Sequence, residues 1–218
     1  MRTGSAGRPA VQRRRKGLRV KIIAVACSPR KGKTTKAALE VCLEAAREVD
    51  DGIETELLEL AGLSVNGCMA CGKCKDGLVC THDDGFMSLV PALSSADLVG
   101  LIVGTPVYLG SMTSQCKAFL DRSVMFRRNG FLLRNKVGGA LAVGGVRNGG
   151  QELTVQAIHA AMLCHDMVVV SDGRPTAHFG AALWSGGDRG VADDDVGLET
   201  ARNLGHRVAE VCLQLDGA

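Results

Sequence analysis

The sequence predicts an α/β chain whose parallel sheet is covered by helices on both faces. Two observations carry this. Most candidate strands read as near-continuous apolar, β-branched runs rather than as alternating ones, as strands buried on both faces do. They also alternate along the chain with segments of helical apolar spacing, five strands with five helices. A third observation fits the same class: Gly-rich polar loops follow the strand ends, where ligands bind in such sheets.

The elements follow in order. Residues 19–27 form a buried first strand, and residues 34–49 place Ala38, Leu39, Cys42, Ala45, Ala46 and Val49 on one helical face. Residues 54–60 alternate as the second strand. A cysteine-rich loop follows, then a helix near 84–95 for which Asp83 can act as cap. Leu98–Gly104 is the third strand, 113–127 a helix, 137–144 the fourth strand, 151–165 a helix, and 167–171 the fifth strand. Residues 172–192 read as Gly-rich loop. Asp193–Asp195 put negative charge at the start of a last helix running to about Leu215, where it suits the helix dipole. No internal repeat or second domain is visible.

Composition narrows the function. The chain has 218 residues, 46% of them apolar and 28 of them glycine, enough for one domain with a proper core. Aromatics make up 3%, with one Trp and one Tyr, which disfavours a base-stacking surface for single-stranded nucleic acid. The net charge of +3 is uneven. Arg2, Arg8, Arg13, Arg14, Arg15, Lys16 and Arg19 crowd the start, and residues 1–17 hold no acidic residue. We read 1–17 as a disordered basic tail, with a transit-peptide-like composition as the other reading. With no apolar signal region and no long apolar run, neither secretion nor membrane spanning is expected, and a cytoplasmic location is. No recognition helix is evident, so the tail predicts only non-specific, salt-sensitive contact with nucleic acid.

Nine cysteines are many for this length. Cys27, Cys42, Cys116, Cys164 and Cys212 lie singly in apolar segments and read as small buried hydrophobes. Cys68, Cys71, Cys74 and Cys80 are spaced C-x2-C-x2-C-x5-C. Thiolates so close in sequence can converge on one metal centre, and iron–sulfur clusters are held by four cysteines in compact runs. A four-thiolate zinc site is chemically possible, although zinc sites more often use paired C-x2-C units set apart. Redox thiols without metal are the remaining reading.

Three loops at strand ends carry the rest. After the first strand comes Ser28-Pro29-Arg30-Lys31-Gly32-Lys33-Thr34-Thr35, where helix-start N–H groups, hydroxyls and positive charge make an anion site. Gly32-Lys33-Thr34 imitates the end of a nucleoside-triphosphate loop, but Cys27 stands where its first glycine belongs and Pro29 removes an amide. A single terminal phosphate suits the loop better. After the third strand come Pro106, Val107, Tyr108, Leu109, Gly110, Ser111 and Met112. After the fourth come Gly145, Val146, Arg147, Asn148, Gly149 and Gly150. Glycines let backbone approach a flat ligand closely, and Arg147 can reach the polar edge of a planar ring. The dinucleotide pattern G-x-G-x-x-G is absent.

From about Leu18 onward the chain resembles the flavodoxin-like NADPH-dependent FMN reductase superfamily, and within it the iron–sulfur flavoprotein branch. The residues that carry this are Ser28-Pro29-Arg30-Lys31-Gly32, the four-cysteine run, Asp83-Asp84, Thr105-Pro106-Val107-Tyr108 through Ser111, Lys117 through Arg122, and Gly149-Gly150-Gln151-Glu152. The resemblance implies a doubly wound five-stranded sheet of order 2-1-3-4-5 over residues 18–218, with the cysteine loop at 66–82 inserted after strand 2. It implies FMN, its phosphate held by Ser28, Arg30, Lys33, Thr34 and Thr35. Its ring would be held by Pro106 to Met112 and by Gly145 to Gly150. It implies a [4Fe–4S] cluster on Cys68, Cys71, Cys74 and Cys80, and a homodimer or homotetramer. The working expectation is a ferredoxin-type or NAD(P)H donor and a small acceptor such as O2, H2O2 or a quinone, with the reverse flow equally compatible with the sequence. The rival is an NAD(P)H-dependent FMN or quinone reductase whose cysteine loop is structural. One departure is Lys33-Thr34, where the family often has Gly or Ser followed by Asn.

Overall fold

The structure, a computed structural model, describes residues 20–216. The basic tail 1–17, with Leu18 and Arg19, lies outside the described residues. The sheet is built on β1 (Val20–Ala26), β2 (Ile53–Glu59), β3 (Leu98–Tyr108), β5 (Val137–Gly144) and β6 (Val168–Val169), in the order β2-β1-β3-β5-β6. Two further strands lie off this path: β4 (Ser111–Met112) pairs with β3, and β7 (Ala181–Trp184) pairs with β5. All central pairs are parallel, Ala26 facing Glu59 on one side and Gly104 on the other. The helices are α1 (Thr34–Arg47), α2 (Val90–Leu93), α3 (Ser114–Arg122), α4 (Val124–Arg128), α5 (Gln151–Cys164) and α6 (Asp195–Asp216). Counted by path, the expected order 2-1-3-4-5 holds.

Both sheet faces are buried, as the apolar runs require. Val20, Ile22, Ala24 and Ala26 of β1 pack into one core with α1 and α6. The alternate residues Ile23, Val25 and Cys27 pack into the other, with Phe86, Phe119, Phe126, Ile158 and Met162. α1 and α6 approach closely at Gly205, where a methyl group would sit on the Cys42 carbonyl oxygen. In the second core the Phe86 ring lies 6.1 Å from Phe119 and 6.4 Å from Phe126, all three fully buried. Each such burial stabilises by roughly 1.5–3 kcal/mol.

Four expectations are corrected. The third strand does not stop at Gly104. Thr105 and Pro106 stay paired with Ala142 and Val143, and Val107 and Tyr108 then pair with Met112 and Ser111. The expected loop 104–112 is therefore a hairpin, turned by Leu109 (φ 49°) and Gly110 (φ 75°), two left-handed residues as a type I′ turn needs. Pro106 is tolerated because β1 ends at Ala26, level with Gly104, leaving that side of β3 open.

The fifth strand is split. Val168–Val169 pair with Val137 and Gly138, the chain leaves the sheet, and Ala181–Trp184 return to pair with Leu141–Gly144. Residues 172–192 thus contain a strand. The helix expected near 84–95 is a 3-10 turn, Met87–Leu89, running into the short α2. Asp83 shows no cap bond there. Asp84 instead turns the chain through a bond from the Phe86 amide, 3.2 Å. The helix expected over 113–127 divides into α3 and α4 at Ser123, whose hydroxyl donates to the Leu120 carbonyl at 2.6 Å. Asp194, within the acidic run expected at the last helix, caps α6: its Oδ1 accepts from the Gly197 amide at 3.1 Å.

Candidate cofactor cleft and cysteine centre

The three expected loops leave the same edge of the sheet, after β1, β3 and β5. After β1 the Cys27 amide donates to the Gly104 carbonyl at 2.7 Å, and buried Ser28 folds the turn by accepting from the Arg30 amide at 3.1 Å. Gly32 takes a left-handed φ of 64°. Lys33 stands extended at the start of α1, with no side-chain cap and no acidic residue in the first turn. The amides of that turn therefore keep their donor capacity, with Arg30, Lys31 and Lys33 exposed around them and Thr35 buried beneath. This is the chemistry of an anion cradle. One amide is engaged: Gly32 donates to Glu59 Oε1 at 2.9 Å, and Glu59 also lies 4.0 Å from Lys36. Sequence reasoning missed Glu59, which reaches the loop only because β2 neighbours β1.

The first and second loops are tied by a buried pair of threonines. Thr113 Oγ1 donates to the Cys27 carbonyl at 2.8 Å and accepts from the Cys116 amide at 3.1 Å, capping α3. Its amide donates to Thr105 Oγ1 at 3.3 Å. The second and third loops meet at two glycines. Gly150 (φ 101°) lies so close to Gly110 that a Cβ on it would stand 2.9 Å from the Gly110 Cα. Gln151, buried, holds the third loop in its curl: Nε2 donates to the Val146 carbonyl at 2.7 Å, and Oε1 accepts from the Gly149 amide at 2.9 Å. Tyr108, Leu109, Gly145 and Arg147 remain exposed at the rim, beside Ser111 and the half-buried Val107 and Met112.

Arg147, exposed at the rim, has a partner within the protein. Its Nη2 donates to the buried Asp194 at 2.9 Å, and its guanidinium lies 5.4 Å from the Trp184 ring centre. Asp194 also accepts from the Trp184 amide at 2.6 Å. A fourth segment, residues 185–193, thus joins the cleft. It touches the phosphate loop where Gly190 (φ 65°) faces the Thr34 methyl group. Nothing local in the sequence marks this segment, since its role comes from the return of β7.

The four cysteines line one concavity, together with Met69, His82, Arg122 and Arg128. Cys68 and Cys71 are exposed, Cys80 is half-buried and Cys74 is buried. Left-handed residues Ala70 (φ 55°) and Gly72 (φ 82°) curl the loop between them. Cys74 Sγ accepts from Arg128 Nη1 at 3.1 Å. Asn129 clamps the loop by donating to the carbonyls of Cys74 (2.9 Å) and Gly77 (3.1 Å). The hydroxyl of Thr81, 3.2 Å away, and then the Lys73 amide lower the Cys71 thiol below its ordinary value. Among the described residues no three His, Cys, Asp or Glu side chains are gathered about a single ion.

Arg122 closes this loop. Its Nη1 donates to Asp84 Oδ2 (2.9 Å) and to the Asn66 carbonyl (3.1 Å), its Nη2 to the His82 carbonyl (3.4 Å), and it lies 4.6 Å over the Phe86 ring. Asp84 further accepts from the Asn66 amide and side chain, both at 2.9 Å. Burial would raise the Asp84 carboxyl, but the bonds from Arg122 and Asn66 outweigh it and hold it at about 2. One signal points to Arg122 in the sequence: a lone Arg on the helical face of Phe119 and Phe126 must have a buried partner.

Among the described residues no helix is long and apolar enough to cross a membrane. The family model described as NADPH-dependent FMN reductase matches residues 20–182. An iron–sulfur flavoprotein of Methanocaldococcus jannaschii is 45% identical over 192 residues, 88% of this chain and 97% of that protein. One from Methanosarcina thermophila is 41% identical over 192 residues, 88% of this chain and 95% of its own length. Among solved structures, a flavodoxin-type, WrbA-like protein from Agrobacterium tumefaciens superposes with a TM-score of 0.58 at 21% identity, covering 89% of this chain and 98% of its own, a likeness of fold.

Proposed function

The chain belongs to the NADPH-dependent FMN reductase family, and from that premise we infer that it is an electron-transfer flavoprotein carrying FMN in the cleft and a [4Fe–4S] cluster on Cys68, Cys71, Cys74 and Cys80. The observation that carries this reading is the cavity lined by all four cysteines, in a chain whose relatives bear the name iron–sulfur flavoprotein. Zinc sites with four thiolates more often use paired C-x2-C units set apart, whereas this chain has three cysteines at two-residue intervals. A cluster with one iron per thiolate suits four cysteines that line one concavity.

Ser28, Arg30, Lys33, Thr34 and Thr35 would hold the FMN phosphate at the uncapped start of α1, where the open amides and three exposed cations supply donors and charge. The hairpin Pro106 to Met112 and the turn Gly145 to Gly150 would bracket the ring, Gly110 and Gly150 allowing two backbones to meet beside it. Arg147, engaged by Asp194, would orient the 185–193 segment over the cleft rather than reach freely for the ring. When bound, the cluster exchanges single electrons and the flavin one or two, so together they interconvert the two kinds of chemistry.

A ferredoxin-type or NAD(P)H donor and a small acceptor, O2, H2O2 or a quinone, suit that chemistry. The uncharged outer residues of α5, Leu153, Ala157 and Ala160, all exposed, support assembly as a homodimer or homotetramer. Anaerobic rapid mixing distinguishes the donors. Fast bleaching by a reduced one-electron carrier, with NADPH slow, is the expected result; fast bleaching by NADPH alone would favour a pyridine-nucleotide reductase with a structural cysteine loop.

A further inference from the structure

The cysteine cavity contains polar atoms that the protein itself leaves unanswered. His82 Nε2 and Arg122 Nε are shut off from solvent and have no hydrogen-bond partner, and both side chains line the cavity with the four cysteines. Arg122 is committed elsewhere through Nη1 and Nη2, which hold Asp84, Asn66 and His82. Its charge is therefore paired with Asp84, and only the Nε–H remains to be met. Arg122 Nε–H is a donor, and His82 Nε2 is one in the tautomer that carries its proton there; buried polar atoms without partners are costly, and native chains seldom keep one without a reason. Two in one cavity point to an acceptor that occupies it. The chain already shows how such an acceptor is met: Arg128 Nη1 donates to Cys74 Sγ at 3.1 Å.

We propose that His82 donates a hydrogen bond from Nε2–H to the sulfur of the group held by Cys68, Cys71, Cys74 and Cys80, and so raises its reduction potential. This rests on the cluster reading given above. Reduction adds negative charge to a cluster, and a hydrogen bond from a buried N–H to its sulfur stabilises the more negative state. Arg122 donates to the His82 backbone carbonyl at 3.4 Å, so the residue that closes the loop also fixes the chain at His82. His82 is a positioning donor and carries no electron itself.

The test uses full-length protein purified anaerobically, with iron and sulfide counted in every sample and the cluster midpoint read by an EPR-monitored redox titration. His82→Leu removes the donor, and His82→Gln restores an N–H of similar reach. The expected result is full iron in both variants and a lower midpoint in His82→Leu alone, by about tenfold in the one-electron equilibrium, about 59 mV. Full iron with an unshifted midpoint in His82→Leu overturns the proposal.

If His82→Leu loses its iron, the wild-type protein labelled with ¹⁵N-histidine decides. A weak ¹⁵N coupling to the reduced cluster, with an exchangeable proton lost in D2O, supports the donor. No histidine coupling overturns it, and so does a strong one, which would make His82 a ligand. Wild-type protein with flavin but without iron and sulfide removes the underlying reading and this proposal with it, an outcome distinct from an unshifted midpoint.

Discussion

Arg122 donates to the Asp84 carboxylate at 2.9 Å across 38 residues of chain, with both side chains almost wholly withdrawn from solvent. The same guanidinium takes the carbonyls of Asn66 and His82, which stand at the two ends of the cysteine loop. One buried ion pair therefore sets the span across which the four thiols are held. Removing one partner of such a pair leaves an uncompensated charge and costs about 3–5 kcal/mol. Asp84→Asn is expected to lower the melting temperature clearly and to release iron before flavin.

The same pair fixes an acid limit. Asp84 is held at about 2, below the ordinary carboxylate value of about 3.9. A depressed folded value contributes stability that is complete above the unfolded value and is lost as pH falls through the folded one. The stability gap between wild type and Asp84→Asn should be constant from pH 7 to about pH 5, narrow from there, and close near pH 2. Chemical denaturation at a series of pH values reads it directly. A gap that does not narrow between pH 5 and pH 2 would mean that the pair is not formed.

Gly150→Ala tests the meeting of the hairpin with the third loop. The added methyl would stand 2.9 Å from the Gly110 Cα and 3.0 Å from its carbonyl oxygen, and the φ of 101° is foreign to alanine. Neither obstacle is a flexible side chain. A strain of about 1–3 kcal/mol placed in the cleft should weaken FMN binding by roughly tenfold to a hundredfold. Fluorescence titration of the flavin-free protein measures this, while iron content should stay unchanged.

Glu59 occupies a donor that phosphate would use. Its carboxylate accepts from the Gly32 amide at 2.9 Å, so an incoming dianion must displace it and meets its charge. Glu59→Gln keeps the shape and removes the charge, and FMN should bind several-fold more tightly as a result. Riboflavin, which lacks the phosphate, should show no such gain. Equal gains for both would place the effect elsewhere.

Gly205→Ala probes the core instead of the site. Its methyl would fall on the Cys42 carbonyl oxygen, at the crossing of α1 and α6, where backbone cannot retreat locally. Overpacking of this kind costs roughly 1–3 kcal/mol, against the helix propensity gained by replacing glycine. The melting temperature should fall, with both cofactor sites intact once the protein is folded.

The sequence made the sheet legible where burial is uniform. Val20–Ala26 and Val137–Gly144 are buried along nearly their whole length, and an apolar run states that directly. It concealed elements whose pairing is decided at a distance. Ala181–Trp184 is four residues long inside a Gly-rich stretch, and only the open upper edge of β5 makes it a strand. The hairpin turn Leu109-Gly110 lacks the usual Asn-Gly signature, so residues 104–112 read as loop.

At the site, the cysteines and the phosphate loop were visible because their ligating groups are neighbours in sequence. Arg122 and Gln151 were visible only as members of a motif and Asp194 only as helix-start charge, while Glu59 was not visible at all, because each acts on a segment brought to it by the fold. Asp84 entered only through the Asp83-Asp84 motif, since its partner Arg122 lies 38 residues along the chain.

The central claim is that one chain holds a flavin and an iron–sulfur cluster in separate sites. The most direct measurement is an assay of iron, sulfide and FMN, with an ultraviolet–visible spectrum, on anaerobically purified wild type and Cys71→Ala. The account predicts about four irons and about one FMN per wild-type chain, and retention of FMN with loss of the cluster absorbance in Cys71→Ala. Wild-type protein with FMN and zinc, or full iron retained in Cys71→Ala, would contradict it.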